Sequence, residues 1–130
     1  RLSLEPAIAR EAAIHASGDA VSNLTMIGQR TQAADNWEDY ELFDDQFHRA
    51  IGIAADNPLL LSLFDHLNAV RRGVAWKTVV RSSVRPAFDH TSFAEHDQIL
   101  AAIEARDPSA AHASMRTHLV SVSNRLFGDA

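Results

Sequence analysis

Between Trp37 and Ala55 the chain reads WEDYELFDDQFHRAIGIAA, and its apolar residues fall at helical period: Trp37, Tyr40, Phe47, Ile51, Ala54 and Ala55. Asp44 and His48 lie in the same stripe, four residues apart, so one stands a turn above the other on the face meant for the core. A carboxylate on a core-facing stripe is costly unless something pairs with it. An aspartate and a histidine at this spacing can both be aimed at one metal ion. This stretch therefore asks for a helix packed on other helices, with chemistry inside the packing.

The rest of the chain answers in kind. Leu4, Ile8, Glu11, Ala12 and His15 mark a first helix ending near Ser17-Gly18, and Asp19 can cap a second carrying Val21, Leu24 and Ile27. Asp35 or Asn36 can cap the central helix. Asp56-Asn57-Pro58 stops it and starts a fourth, with Asn57 as N-cap and Pro58 in the first helical position. The fourth carries Leu60, Leu63, Phe64, Leu67, Val70 and Val74 and is expected to run to about Ser83, before Arg85-Pro86. Thr91 or Ser92 caps the fifth, Ser92 and Glu95 having capping-box spacing, and Phe93, His96, Ile99, Leu100 and Ile103 form its stripe. Arg106-Asp107-Pro108 leads to the sixth, with Ala111, Met115, His118, Leu119, Val122 and Leu126, ending at Gly128. No run alternates at period two; Val79-Val80 is too short. The expected fold is all-α, a single antiparallel bundle of about six helices.

His96 and His118 fall on the core stripes of the fifth and sixth helices. With Asp44 and His48 they give four potential ligands from three helices. Three imidazoles and one carboxylate suit zinc, nickel, manganese or iron(II), whereas calcium and magnesium prefer all-oxygen shells. The alternative for each histidine is a hydrogen-bonded core imidazole, and with seven histidines some stripe matches arise by chance. His15, His66 and His112 sit at stripe edges and His90 in a loop; these four read as surface or boundary residues.

Composition removes other classes. The absence of cysteine excludes disulfides, zinc–thiolate sites and thiol catalysis. A net charge of −5 argues against a nucleic-acid surface on this part of the protein. Nothing resembles a signal peptide or a membrane span, which points to the cytoplasm. The start at Arg1, already in helical register, is expected of a piece of a longer protein.

Four words of the sequence resemble a known family: RLSLEPAIAREAA, FDDQFHRAIGIAADNPLL, AEHDQILAAIEARDPSAA and MRTHL. Together they look like the FCD domain, the effector-binding carboxy-terminal half of FadR-type GntR-family transcription regulators, and the likeness spans essentially the whole chain. The metal-binding branch of that family uses the residues that match Asp44, His48, His96 and His118 here. Asp45 is also close to His48 but falls off the stripe, so Asp44 is preferred. The resemblance implies an ion inside the bundle that helps hold a small carboxylate effector, and an amino-terminal winged helix-turn-helix half, absent from this chain, that reads operator DNA. It also implies a homodimer, for which Ile14, Leu59 and Leu61, apolar and outside the main stripes, offer support.

Two further expectations concern what the site does. Arg71 continues the line of Leu60, Phe64 and Leu67 and would clamp an effector carboxylate if it reaches the interior; otherwise it snorkels or pairs with an acid such as Asp65 or Asp97. A metal-dependent hydrolase and a metal used only as a staple are the alternatives to a sensor. Hydrolysis needs a base, and Glu95 and Asp97, beside His96, are expected on other faces of their helix. The expectation is therefore a sensor and not an enzyme.

Overall fold

The computed structural model describes residues 1–75 and 81–127, with the side chains at 74 and 75 left aside. They form six helices: α1 (Glu5–His15), α2 (Gly18–Ala33), α3 (Trp37–Ala54), α4 (Pro58–Ala75), α5 (Thr91–Glu104) and α6 (Pro108–Phe127). No strand occurs among the described residues. The chain is all-α, as its periodicities require.

Two connections repeat one design. Asp56 and Arg106 take the left-handed backbone conformation that ends α3 and α5, with φ of 53° and 56°. The next residue then caps the following helix: Asn57 Oδ1 accepts from the amides of Leu59 and Leu60, and Asp107 Oδ1 accepts from that of Ala110. Proline follows each cap, where its missing N–H is not needed. These short reversals fold α4 back on α3 and α6 back on α5.

The core is centred on α3. Phe47 and Ile51 are wholly buried, with Ile8 from α1, Leu24 from α2, Ile99 and Ile103 from α5, and Met115 from α6. On α1 the buried residues include Ala9, Ala12 and Ala13, whose small side chains let α1 lie close against α6. α1 also packs on α3 and α5, so three helices converge on the stripe that carries Asp44 and His48.

Several local expectations are corrected. Glu11 and His15 do not face the core but pair with each other, 3.3 Å apart, on a more open face; Glu5 is the buried polar residue of α1. Ser17, not Asp19, caps α2, accepting from the Ala20 amide at 3.0 Å. Asn36 caps α3. α5 has no side-chain cap: Ser92 Oγ accepts from Arg125 instead, and Glu95 turns to α6. The fourth helix does not reach Ser83. Residues 81–83 are non-helical, and the expectation for Val79-Val80 lies outside the described residues. The segment from Arg81 crosses the start of α3: the Trp37 amide donates to Val84, and Arg81 pairs with Glu41 while lying over the Trp37 ring. Those contacts hold the strap in place.

Candidate metal centre

α3 presents Asp44 and His48 to His96 of α5 and His118 of α6. One potential ligand atom from each lies within 4.8 Å of the others. The three imidazoles are buried, and Asp44 keeps 20% of its side chain open. His48 Nε2 and His118 Nε2 face each other at 3.3 Å, and Asp44 Oδ1 stands 3.6 Å from His48 Nε2 and 3.1 Å from His96 Nε2.

The outer nitrogens determine what the inner ones can do. His48 Nδ1 donates to Glu5 Oε1 at 2.8 Å, and His118 Nδ1 donates to Glu95 Oε1 at 2.7 Å. A ring held this way in its neutral form has its proton outward and its Nε2 lone pair inward. Two such lone pairs 3.3 Å apart repel unless a proton or a cation lies between them. His96 adds to the argument: neither of its nitrogens has an aligned hydrogen bond, despite the nearness of Asp44. A buried polar group without such a partner is costly. Three nitrogen donors and one carboxylate oxygen, turned towards one point, fit a divalent transition ion.

Ionisation follows from the same contacts. Burial pushes the His118 imidazole down to about 4, with His96 and His48 adding to the effect against the pull of Glu95, so it is neutral near pH 7. Burial opposes charge on Asp44 as well, but His48 and His96 overcome it and hold the carboxyl well below its usual range. Burial would likewise lower His48, yet Asp44 and Glu5 raise it. Glu5, desolvated but bonded to His48 and to Arg1 Nε at 2.6 Å, stays ionised.

Asp45 goes the other way. It accepts from Asn68 Nδ2 at 2.7 Å, from Arg72 Nη1 at 3.0 Å and from Arg71 Nη2 at 3.5 Å, tying α3 to α4. The structure therefore brings Asp44, not Asp45, among the histidines. Arg71 pairs with neither Asp65, which is taken by Arg49, nor Asp97; it faces Asp45 and Asn68, and it also lines the main cavity.

That cavity, of about 550 Å³, reaches Asp44 and His118 at its inner end. Arg1 and Arg71 stand in its wall with Leu67, and Trp37, Tyr40 and Phe127 give it apolar surface. His90, expected at the surface, lines it too, half-buried and edge-on to Trp37, Tyr40 and Phe93. His15, His66 and His112 are exposed.

Sequence reasoning missed Glu5 and misplaced Glu95. The spacing of Arg1 and Glu5, one turn apart at the start of α1, was the available signal for the first. Glu95 is next to His96 but reaches His118 on another helix, which no spacing within α5 reveals.

Comparisons with known proteins agree with this architecture. A family model described as the FCD domain matches residues 1–121. The HTH-type transcriptional repressor NanR of Salmonella arizonae is 31% identical over 128 residues, covering 95% of this chain and 46% of that protein. The chain thus spans about half the length of the curated relatives it matches. Among solved structures, Streptococcus agalactiae GntR superposes with a TM-score of 0.76 at 27% identity, over 94% of this chain and 53% of the other. E. coli McbR/YncC superposes with a TM-score of 0.85 over 98% of this chain and 64% of the other; at 19% identity that likeness speaks for the fold alone.

Proposed function

The chain belongs to the FCD domain family, and on that premise we propose that it is the effector-sensing part of a GntR-type transcription regulator. In this reading Asp44, His48, His96 and His118 hold one divalent transition ion, zinc, nickel, manganese or iron(II). The observation that carries it is the pair of Nε2 atoms 3.3 Å apart, each on a ring whose other nitrogen is held by a buried or half-buried carboxylate. When bound, the ion supplies positive charge and Lewis acidity that favour an anionic oxygen. A small carboxylate entering by the cavity would meet that charge at Asp44 and His118, with Arg71 and Arg1 in the wall as guanidinium anchors.

The effector would change which arrangement of the bundle is populated, and through it the operator affinity of an attached winged-helix half. The protein would act in the cytoplasm; no helix among the described residues is long and apolar enough to cross a membrane. A homodimer completes the reading. Leu59, Leu63 and Val70 are exposed along one face of α4, and Ile14 is exposed on α1. Leu61, by contrast, leans on Gly52 and is only partly open.

The hydrolase alternative loses its best candidate base. The Glu95 carboxylate is engaged with His118 Nδ1, where it orients a ligand. A metal serving only as a staple is disfavoured by the cavity that opens on Asp44 and His118. The test is calorimetric titration of the metal-loaded and metal-stripped domain with acetate, lactate, succinate and gluconate. Binding that needs the metal supports the sensor; binding indifferent to the metal, or confined to neutral or CoA-type ligands, overturns it.

A further inference from the structure

The two carboxylates that hold the outer histidine nitrogens are themselves held differently. Glu95, behind His118, keeps 15% of its side chain open and lies on α5, the helix of His96. Glu5, behind His48, keeps 4% open and comes from α1, which supplies no ligand. Both of its oxygens are engaged. Oε2 accepts from Arg1 Nε at 2.6 Å, and Oε1 accepts from His48 Nδ1 at 2.8 Å with Arg1 Nη2 a further 3.4 Å away. Arg1 Nη2 also stands 3.4 Å from His48 Nδ1, so the three groups close a triangle. A carboxylate gripped at both oxygens keeps one orientation, and the His48 ring takes its direction from it.

Arg1 has a second task, at the start of α1. Leu4, in the N-cap position, offers no side-chain cap; the amides of Leu4 and Glu5 donate to the Arg1 carbonyl instead, at 3.1 and 2.9 Å. Leu2 and Ser3 are exposed, and Leu4 is only partly buried against the core. The Arg1–Glu5 ion pair is thus a buried polar tie between this lead-in turn and the interior.

One residue therefore joins two places, through its carbonyl the first turn of α1 and through its side chain a ligand of α3. To offer its Nε2 lone pair inward, His48 must keep its proton on Nδ1, the tautomer that Glu5 selects. A cation between the Nε2 atoms of His48 and His118 would relieve their repulsion at 3.3 Å and favour the ring direction that Glu5 and Arg1 hold. Two events that favour one arrangement favour each other by linkage.

We propose that Arg1 is a positioning residue for the metal centre, acting through Glu5 on His48, and that the coupling runs both ways: metal occupancy tightens the lead-in turn of α1, and displacing that turn weakens metal binding. This rests on the four-ligand reading above and adds to it a route from the centre to the start of α1.

The experiment takes two readings on the domain with zinc in a buffer free of carboxylates. By chelator competition, Arg1→Gln should bind zinc about tenfold more weakly than wild type, as expected when a partner behind a ligand is lost. Arg1→Lys, which keeps the charge without the fork, should bind more tightly than Arg1→Gln. By amide hydrogen exchange, zinc should slow the Leu4 and Glu5 amides of the wild type by at least about tenfold. The Ala20 amide, capped by Ser17 at the start of α2, should not respond. In Arg1→Gln saturated with zinc, the slowing at Leu4 and Glu5 should be lost although the ion is bound. Equal zinc affinity in wild type and Arg1→Gln, or a lysine variant no better than the glutamine one, overturns the positioning role. Exchange at Leu4 and Glu5 that ignores bound zinc in the wild type, or slowing that persists in Arg1→Gln, overturns the coupling through Arg1. Each of these leaves the four-ligand reading in place; a wild type that takes up no zinc removes that reading and this inference together.

Discussion

Asp44 and Asp45 are neighbours on one helix, and the chain treats them in opposite ways. About 100° of helical rotation sends Asp45 to α4, where an amide and two guanidinium groups donate to it. The same rotation sends Asp44 to three imidazoles, two of which turn their Nε2 atoms towards each other. Asp45 is completed by donors the sequence itself provides, so its role is to join two helices. Asp44 meets only imidazoles, and in the proposed reading a cation would complete the group. A carboxylate's partners, more than its burial, separate an architectural acid from a candidate ligand: Asp45 is the less exposed of the two.

The largest effect that tests this contrast is removal of an imidazole. His48→Ala and His118→Ala should abolish metal retention, read by elemental analysis, and with it the gain in thermal stability that bound metal gives. That gain is about 4 kcal/mol when free metal is a thousandfold above its dissociation constant.

Next comes the aspartate pair itself. Asp45→Asn should lower unfolding free energy by about 2 kcal/mol, less than a fully buried ion pair because Arg72 is partly open, and leave metal content unchanged. Asp44→Asn should instead weaken metal binding; in the stripped domain it also costs stability, because it removes the carboxylate that His48 and His96 hold ionised. Denaturant melts and metal titration of both variants decide it; the same response from both would erase the distinction.

A smaller effect is expected one shell out. Glu5→Gln keeps an acceptor for His48 Nδ1 but removes the charge, and should weaken metal affinity by about 10- to 100-fold. The smallest is Arg49→Ala. Its pair with Asp65 also links α3 to α4 but lies in solvent, so a change within about 0.5 kcal/mol is expected in a denaturant melt.

The parts of this arrangement that were legible in the sequence are those written in local spacing. Asp44 and His48 share a stripe, His96 and His118 fall among Ile99, Ile103, Met115 and Leu119, and the two proline-marked reversals announce where α4 and α6 begin. What spacing does not carry is contact between distant segments. Glu5 lies in the first turn of α1, where an acid is favoured anyway by the helix dipole, and its spacing from Arg1 marks it only as a local pair; its bond to a histidine 43 residues away has no sign of its own. Ser92 has the right neighbour for a capping box, yet the guanidinium of Arg125 is a stronger partner for its hydroxyl than a first-turn amide. The strap from Arg81 is held by Trp37 and Glu41, again contacts between distant segments.

Metal content measured by native mass spectrometry, on domain purified without chelator or nickel affinity resin, bears on the four-ligand centre most directly. Wild type and Asp45→Asn should each carry one divalent ion per chain, and His48→Ala and His118→Ala none. A wild-type domain that takes up no ion under any loading, or alanine variants that both keep it, would contradict the assignment of Asp44, His48, His96 and His118 as its ligands.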